Sequence, residues 1–313
     1  MPKRLIVLVA AVFLLAACVP PPQDDDSVTR FDPTEAYMGV IQKRGVLRVG
    51  IPERPLPPFS FTPESHGVEG TPQGFYIDLA TELSKALGVD IEFDHLSDDD
   101  LILPTSVRSP GVVDSPVDIS FPQVPITERL VKPPKPDVGH PMTHPYYVAH
   151  ERLLVEKSAG IAQASDLPSG SVVCTILDPQ TGVTPEVFAP GAEEVPGSID
   201  TCAEALRHGD AEAVAATDMA LMSVWAAITN CFQPCEPSPD YEIVGDEMTT
   251  EGYGAMLPVG ARGWSNFVDA TWAETDAEGR WLRYFDKWCG PYGLHLDEAP
   301  TMRVEEAAGL YPL

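Results

Sequence analysis

Gly74-Phe75-Tyr76-Ile77-Asp78-Leu79-Ala80-Thr81-Glu82-Leu83-Ser84-Lys85-Ala86-Leu87-Gly88 is the stretch on which the reading of this chain turns. After a short extended lead-in, Ala80, Leu83 and Leu87 recur at the spacing of one helix face. Asp78 suits an electropositive first turn, and Gly88 a C-terminal stop. The residues that follow, Val89-Asp90-Ile91-Glu92-Phe93, alternate as a strand does, and Gly45-Val46-Leu47-Arg48-Val49-Gly50-Ile51 upstream reads as another. Strand, loop, helix, strand is the opening unit of an open α/β sheet.

The whole chain has 313 residues, too many for one small core and suited to two lobes of ordinary size. Its 33 prolines, clustered at 20–22, 52–63 and 133–145, predict long stiff loops. Net charge is −27, a surface that repels phosphate backbones and excludes nucleic acid as a partner. At the N-terminus, Lys3 and Arg4 precede an apolar run from Leu5 to Ala17, too short to span a bilayer comfortably. Residues 1–17 therefore read as a signal peptide, and Leu15-Ala16-Ala17-Cys18 resembles a bacterial lipobox with Cys18 as the lipidated residue. Residues 18–38, with Pro20-Pro21-Pro22 and Asp24-Asp25-Asp26, lack periodicity and read as a polar tether. The expected location is the extracytoplasmic face of the cell membrane, lipid-anchored, where disulfides persist.

The quoted stretch also resembles the signature segment of family 3 extracellular solute-binding proteins, the polar amino-acid receptors of ABC importers. In that family a Gly-Phe-acid-x-Asp-Leu run opens the first helix; here Tyr76 replaces the first acid. Val117-Asp118-Ile119-Ser120-Phe121-Pro122-Gln123-Val124-Pro125-Ile126-Thr127-Glu128-Arg129 resembles the second diagnostic run. Gln123 and Pro125 stand where the family has ligand-bonding Ser or Thr, and proline offers neither hydroxyl nor amide proton. Arg129 falls one residue before the arginine that grips an α-carboxylate, leaving a ligand fork and a solvated surface side chain as its two readings. Thr127 keeps the family spacing. Phe59 lies in the Pro57-Pro58 loop that in the family reaches over the ligand, Leu56 takes its usual aromatic position and Glu53 stands just upstream, with ligand contact and plain loop surface as the two readings of each.

Further along, Pro145-Tyr146-Tyr147-Val148-Ala149 resembles the first strand crossing between lobes, and Glu251-Gly252-Tyr253-Gly254-Ala255-Met256 the returning one. The turn Asp178-Pro179-Gln180-Thr181-Gly182 occupies the place of an anion-cradling helix start. Asp178 repels a carboxylate there, while Gln180 and Thr181 remain candidate contacts. Ala213-Val214-Ala215-Ala216-Thr217-Asp218 matches the family's Asp-Ala-Val-x-Thr-Asp run, whose last acid receives the ligand's ammonium. Asp218 is accordingly the leading ligand residue, with helix N-cap as its other role. The resemblance also implies a Cys174–Cys202 disulfide. Cys231 and Cys235 flank a loop and suit a local bridge, Cys235–Cys289 being the alternative pairing. Trp281, Tyr284, Phe285 and Trp288 fall on one helix face and read as core.

Taken together, the resemblance implies a type II periplasmic-binding-protein fold: two α/β lobes joined by two crossover strands. Lobe 1 would comprise residues 39–147 plus 250–313, and lobe 2 residues 148–249. The expected function is capture of an amino acid or related small polar solute by hinge closure, followed by docking on an ABC permease. A monomer is expected, with no enzymatic activity, no cofactor and no metal, since His140 and His144 lack partners at ligand spacing. The alternatives are a ligand-sensing lipoprotein for a membrane signalling partner, an interaction protein with a degenerate cleft, and a dehydratase-like enzyme using Glu53, Asp178 or His144.

Overall fold

The structure of the protein, a computed structural model, describes residues 37–65, 68–102, 107–109, 112–113, 115–131, 142–176, 191–229, 239–247, 249–258, 261 and 263–310. Helix α1 (Tyr37–Arg44) leads into strand β1 (Val46–Pro52). The hairpin of β2 (Glu64–Ser65) and β3 (Val68–Glu69) precedes helix α2 (Phe75–Leu87), strand β4 (Asp90–Leu96) and the one-turn helix α3 (Asp98–Leu101). A second hairpin, β5 (Val107–Ser109) with β6 (Val112–Val113), is followed by β7 (Ile119–Ser120) and the short helix α4 (Glu128–Val131). Strands β8 (Tyr147–Ala149), β9 (Glu151–Glu156), β10 (Val172–Thr175) and β11 (Glu193–Pro196) come next, then α5 (Ile199–His208), β12 (Ala213–Thr217), α6 (Asp218–Thr229) and β13 (Tyr241–Val244). The chain continues through β14 (Glu251–Tyr253) to α7 (Trp264–Ala277), α8 (Arg280–Trp288) and α9 (Val304–Gly309).

Two main sheets result. In the first, β1 lies between β4 and β7, parallel to both, with Val46 opposite Asp90 and Val49 opposite Ile119. The second has the order β11-β10-β12-β9-β13; β10, β11 and β12 run parallel, and β9 is antiparallel to its two neighbours. Between them in the chain, β8 and β14 form an antiparallel pair in which Val148 faces Gly252. The expected α/β class is what the residues build.

Helix α2 begins where only glycine is tolerated. Gly74 has φ 130°, and a Cβ there would fall 2.2 Å from the Phe59 carbonyl oxygen. The helix ends on Gly88, left-handed at φ 67°, whose N–H reaches the Lys85 carbonyl. Its buried face carries Phe75, Leu79 and Leu83, none exposed to solvent, each contributing roughly 2–3 kcal/mol of burial. Phe75 meets Trp281 and Phe285 of α8 edge-on, at 5.4 and 6.0 Å between centroids, so the aromatic stripe is core. Asp78, in the first turn of α2, accepts from Trp288 Nε1 at 2.6 Å and from Lys287 Nζ at 2.9 Å. This acid of the quoted stretch thus fastens α8 to α2.

Asp118, just before β7, gathers the start of the body. Its carboxylate accepts from the Tyr37 hydroxyl at 2.6 Å, from the Arg48 amide at 2.8 Å and from the Arg44 guanidinium, while its carbonyl accepts from Trp264 Nε1 at 2.8 Å. The C-terminal stretch, to which sequence reasoning assigns no structure, forms α9. Val304, Ala307 and Ala308 pack there with Val117, Ile126, Met142 and Met256. Gly252 of β14 must lack a side chain for this, because a Cβ would lie 2.8 Å from Ala307 Cβ. The Cys174–Cys202 disulfide is present, joining β10 to α5. Cys289 is a buried free thiol, which excludes the Cys235–Cys289 pairing; Cys231, Cys235 and Cys18 lie outside the described residues.

Candidate functional site around Asp218

The apolar run of β12 ends at Thr217, and Asp218 opens α6, at the seam where the second sheet meets elements of the first. Its amide donates to the His150 carbonyl at 2.8 Å, in the turn between β8 and β9. Its Oδ1 accepts from the Tyr147 hydroxyl at 2.8 Å. Only 4% of the residue is exposed. Burial pushes its carboxyl up to about 6, against the opposing pull of the Tyr147 hydrogen bond and of nearby His150. Burial and the same carboxylate push the Tyr147 hydroxyl well above its ordinary range, so it remains a donor. The arrangement is a desolvated acid held by the neutral Tyr147 hydroxyl and by backbone amides at His150 and Met219. A cationic group reaching it would gain strongly from the low local dielectric.

Aromatic side chains of the first sheet's side pack around Tyr147. The Tyr147 ring lies 5.8 Å from Phe59 and stacks on Phe285 at 5.7 Å. Phe59 in turn touches Tyr76 at 5.4 Å, and Tyr76 stacks on Phe121 at 4.7 Å. Helix α6 reaches the same residues: the Tyr76 hydroxyl points at Met219 Sδ, 3.8 Å away, and Ser223 Oγ donates to the Pro57 carbonyl at 2.7 Å. Burial and the Asp218 carboxylate both push the Cys289 thiol well above its ordinary range.

The structure brings together two of the residues singled out from sequence, Asp218 and Phe59, through Tyr147. Phe59 is fully buried and Leu56 nearly so, inside a turn closed by hydrogen bonds between Leu56 and Ser60. Glu53 is exposed, its amide bonded to the Leu96 carbonyl. Gln123 is half-buried after β7. Thr127 is buried, and its Oγ1 accepts from the Leu130 amide at 3.4 Å, capping α4, whose second residue is Arg129. Gln180 and Thr181, with Asp178, lie outside the described residues. His144 is turned to Asp269 on α7, with its amide 2.9 Å from Oδ1 and its Nδ1 3.4 Å from Oδ2. Sequence reasoning missed Tyr147 and His150 as neighbours of Asp218. Tyr147 reads only as part of a crossover strand, and nothing local reveals which acid its hydroxyl will meet 71 residues later.

Residues 47–291 match the bacterial extracellular solute-binding proteins, family 3. The chain belongs to this family. Among family relatives, the L-glutamate/L-aspartate-binding protein of Pseudomonas aeruginosa is 25% identical over 266 residues, 82% of each chain. A solved ancestral cationic amino acid solute binding protein is 25% identical with a TM-score of 0.63, covering 80% of this chain and 98% of its own. A solved ancestral amino acid-binding protein, described as a precursor of cyclohexadienyl dehydratase, is 25% identical with a TM-score of 0.57 over the same shares. This family 3 solute-binding protein therefore has the type II periplasmic-binding-protein fold. Among its described residues, no helix is long and apolar enough to cross a membrane.

Proposed function

We propose that this family 3 protein captures an amino acid, or a related small polar solute carrying an ammonium group, for an ABC importer. The observation that carries the reading is the buried Asp218 carboxylate, bonded by Tyr147, whose ring packs on Phe59. The solute's ammonium would sit against Asp218, with Glu53, Leu56, Gln123, Thr127, Arg129, Gln180 and Thr181 as further contacts. The formal charge of −27 favours a cationic or zwitterionic guest over an acidic one, in spite of the glutamate/aspartate-binding relative. Pro125, in place of a hydroxyl-bearing residue, argues for an altered carboxylate pose.

In this reading lobe 1 is residues 39–147 plus 250–313 and lobe 2 is residues 148–249, hinged at the β8–β14 pair. Solute favours the closed arrangement because both lobes contribute contacts. The lipid anchor is Cys18, the mature protein is a monomer, and no covalent chemistry is involved. The test is a thermal-shift panel of the twenty amino acids at pH 7.5. A true solute at a hundred times its Kd stabilises by about 2.7 kcal/mol, and Asp218→Asn removes that effect. Stabilisation by no amino acid, or equal stabilisation of parent and variant, overturns the proposal.

A further inference from the structure

A separate cavity of about 260 Å³ lies on the other side of the crossover segment, away from Asp218. The two adjacent tyrosines divide the work: Tyr147 turns to Asp218, while Tyr146 turns its ring to Trp272, edge-on at 6.0 Å. Tyr146, Trp272 and Trp281 supply aromatic walls, and α7 adds the carboxylates of Asp269 and Asp276. The roof is Ala299–Met302, beyond residue 291 where the family match ends. The cavity therefore owes one wall to a segment outside the family body.

Its chemistry selects the sign of a guest. Asp269 is engaged by His144, the one basic side chain in the lining, whereas the Asp276 side chain carries neither hydrogen bond nor ion pair among the described residues. Trp272 cannot offer its indole N–H inward, because that group donates to the Leu79 carbonyl at 3.3 Å. An anion would thus meet the Asp276 carboxylate, while the one basic side chain of the lining is already committed to Asp269. A cation would meet that carboxylate in an aromatic-lined space, the combination that holds quaternary ammonium groups. The volume falls just under the roughly 300 Å³ at which pockets for drug-sized ligands begin, which fits a fragment-sized guest.

We propose that this cavity is a second binding site, for a small organic cation, roofed by the C-terminal segment. It does not depend on the reading of Asp218. The test is a titration of the full chain with tetramethylammonium chloride at constant ionic strength, followed by the indole N–H resonances of Trp272 and Trp281. tert-Butanol, nearly the same shape without the charge, is the control. The expected result is a saturable shift with tetramethylammonium and none with tert-butanol, weakened at least fivefold in Asp276→Asn and unchanged in Asp218→Asn. Ala273→Met, an exposed helix position on the cavity wall, should abolish the shift by filling the space without disturbing the core. Equal response to both probes, a shift that does not saturate, or undiminished binding in both cavity variants overturns the proposal.

Discussion

Replacing Asp218 by Asn removes one charge while keeping the shape and an oxygen for the Tyr147 hydroxyl. In the folded protein the carboxyl titrates near 6, against 3.8 for an unburied aspartate. The folded state therefore holds that proton more firmly. Stability tied to this group is fully present below pH 3.8, falls as pH rises, and is gone above 6. Two pH units at roughly 1.4 kcal/mol each come to about 3 kcal/mol. Asp218→Asn escapes this loss, so it should match the parent at pH 4 and exceed it by up to about 3 kcal/mol at pH 7.5. For a chain of this size that is a rise in Tm of roughly 6 °C. Unfolding of both proteins between pH 4 and 8 tests it, because other titrating groups cancel in the difference. A variant whose advantage does not grow with pH would show that the carboxylate is fully compensated in the fold, and the reasoning fails. Under the proposed function the same titration sets binding: an ammonium-bearing solute would need the ionised acid, and its affinity should drop up to tenfold per pH unit below about 6.

Two further outcomes concern stability. Replacing Cys174 and Cys202 by alanine opens a loop spanning 28 residues, and the chain-entropy relation gives a cost of about 3.6 kcal/mol, readable as a lower urea midpoint with little change in slope. Gly74→Ala forces a Cβ to within 2.2 Å of the Phe59 carbonyl at φ 130°, and should cost more than about 4 kcal/mol or abolish folding, measured by expression level and circular dichroism.

The elements that were legible from sequence are those whose signal is local. Helix α2 announces itself by the spacing of Ala80, Leu83 and Leu87 and by Gly88, and β12 by an unbroken apolar run. The stripe on α8 is likewise local, and its burial follows from its period. What was not legible depends on partners far along the chain. Tyr147 and Asp218 meet only once β8, β9 and β12 are in register. The burial of Phe59 and Leu56 is not visible in the loop sequence either: the turn from Leu56 to Ser60 folds back on itself, and the Phe59 ring is drawn in among Phe75, Tyr76 and Tyr147. Helix α9 is hidden by composition: Glu305 and Glu306 mask the small face of Val304, Ala307 and Ala308, which has meaning only against the bare backbone of Gly252.

The knot of bonds at Asp118 has a mechanical consequence. Any pull arriving along the N-terminal segment enters the described body at Tyr37, whose hydroxyl is tied to that carboxylate, as is Arg44 one helix later. Tension is therefore shared with the loop before β7 and, through Trp264, with α7, rather than falling on the β1–β4 pairing alone.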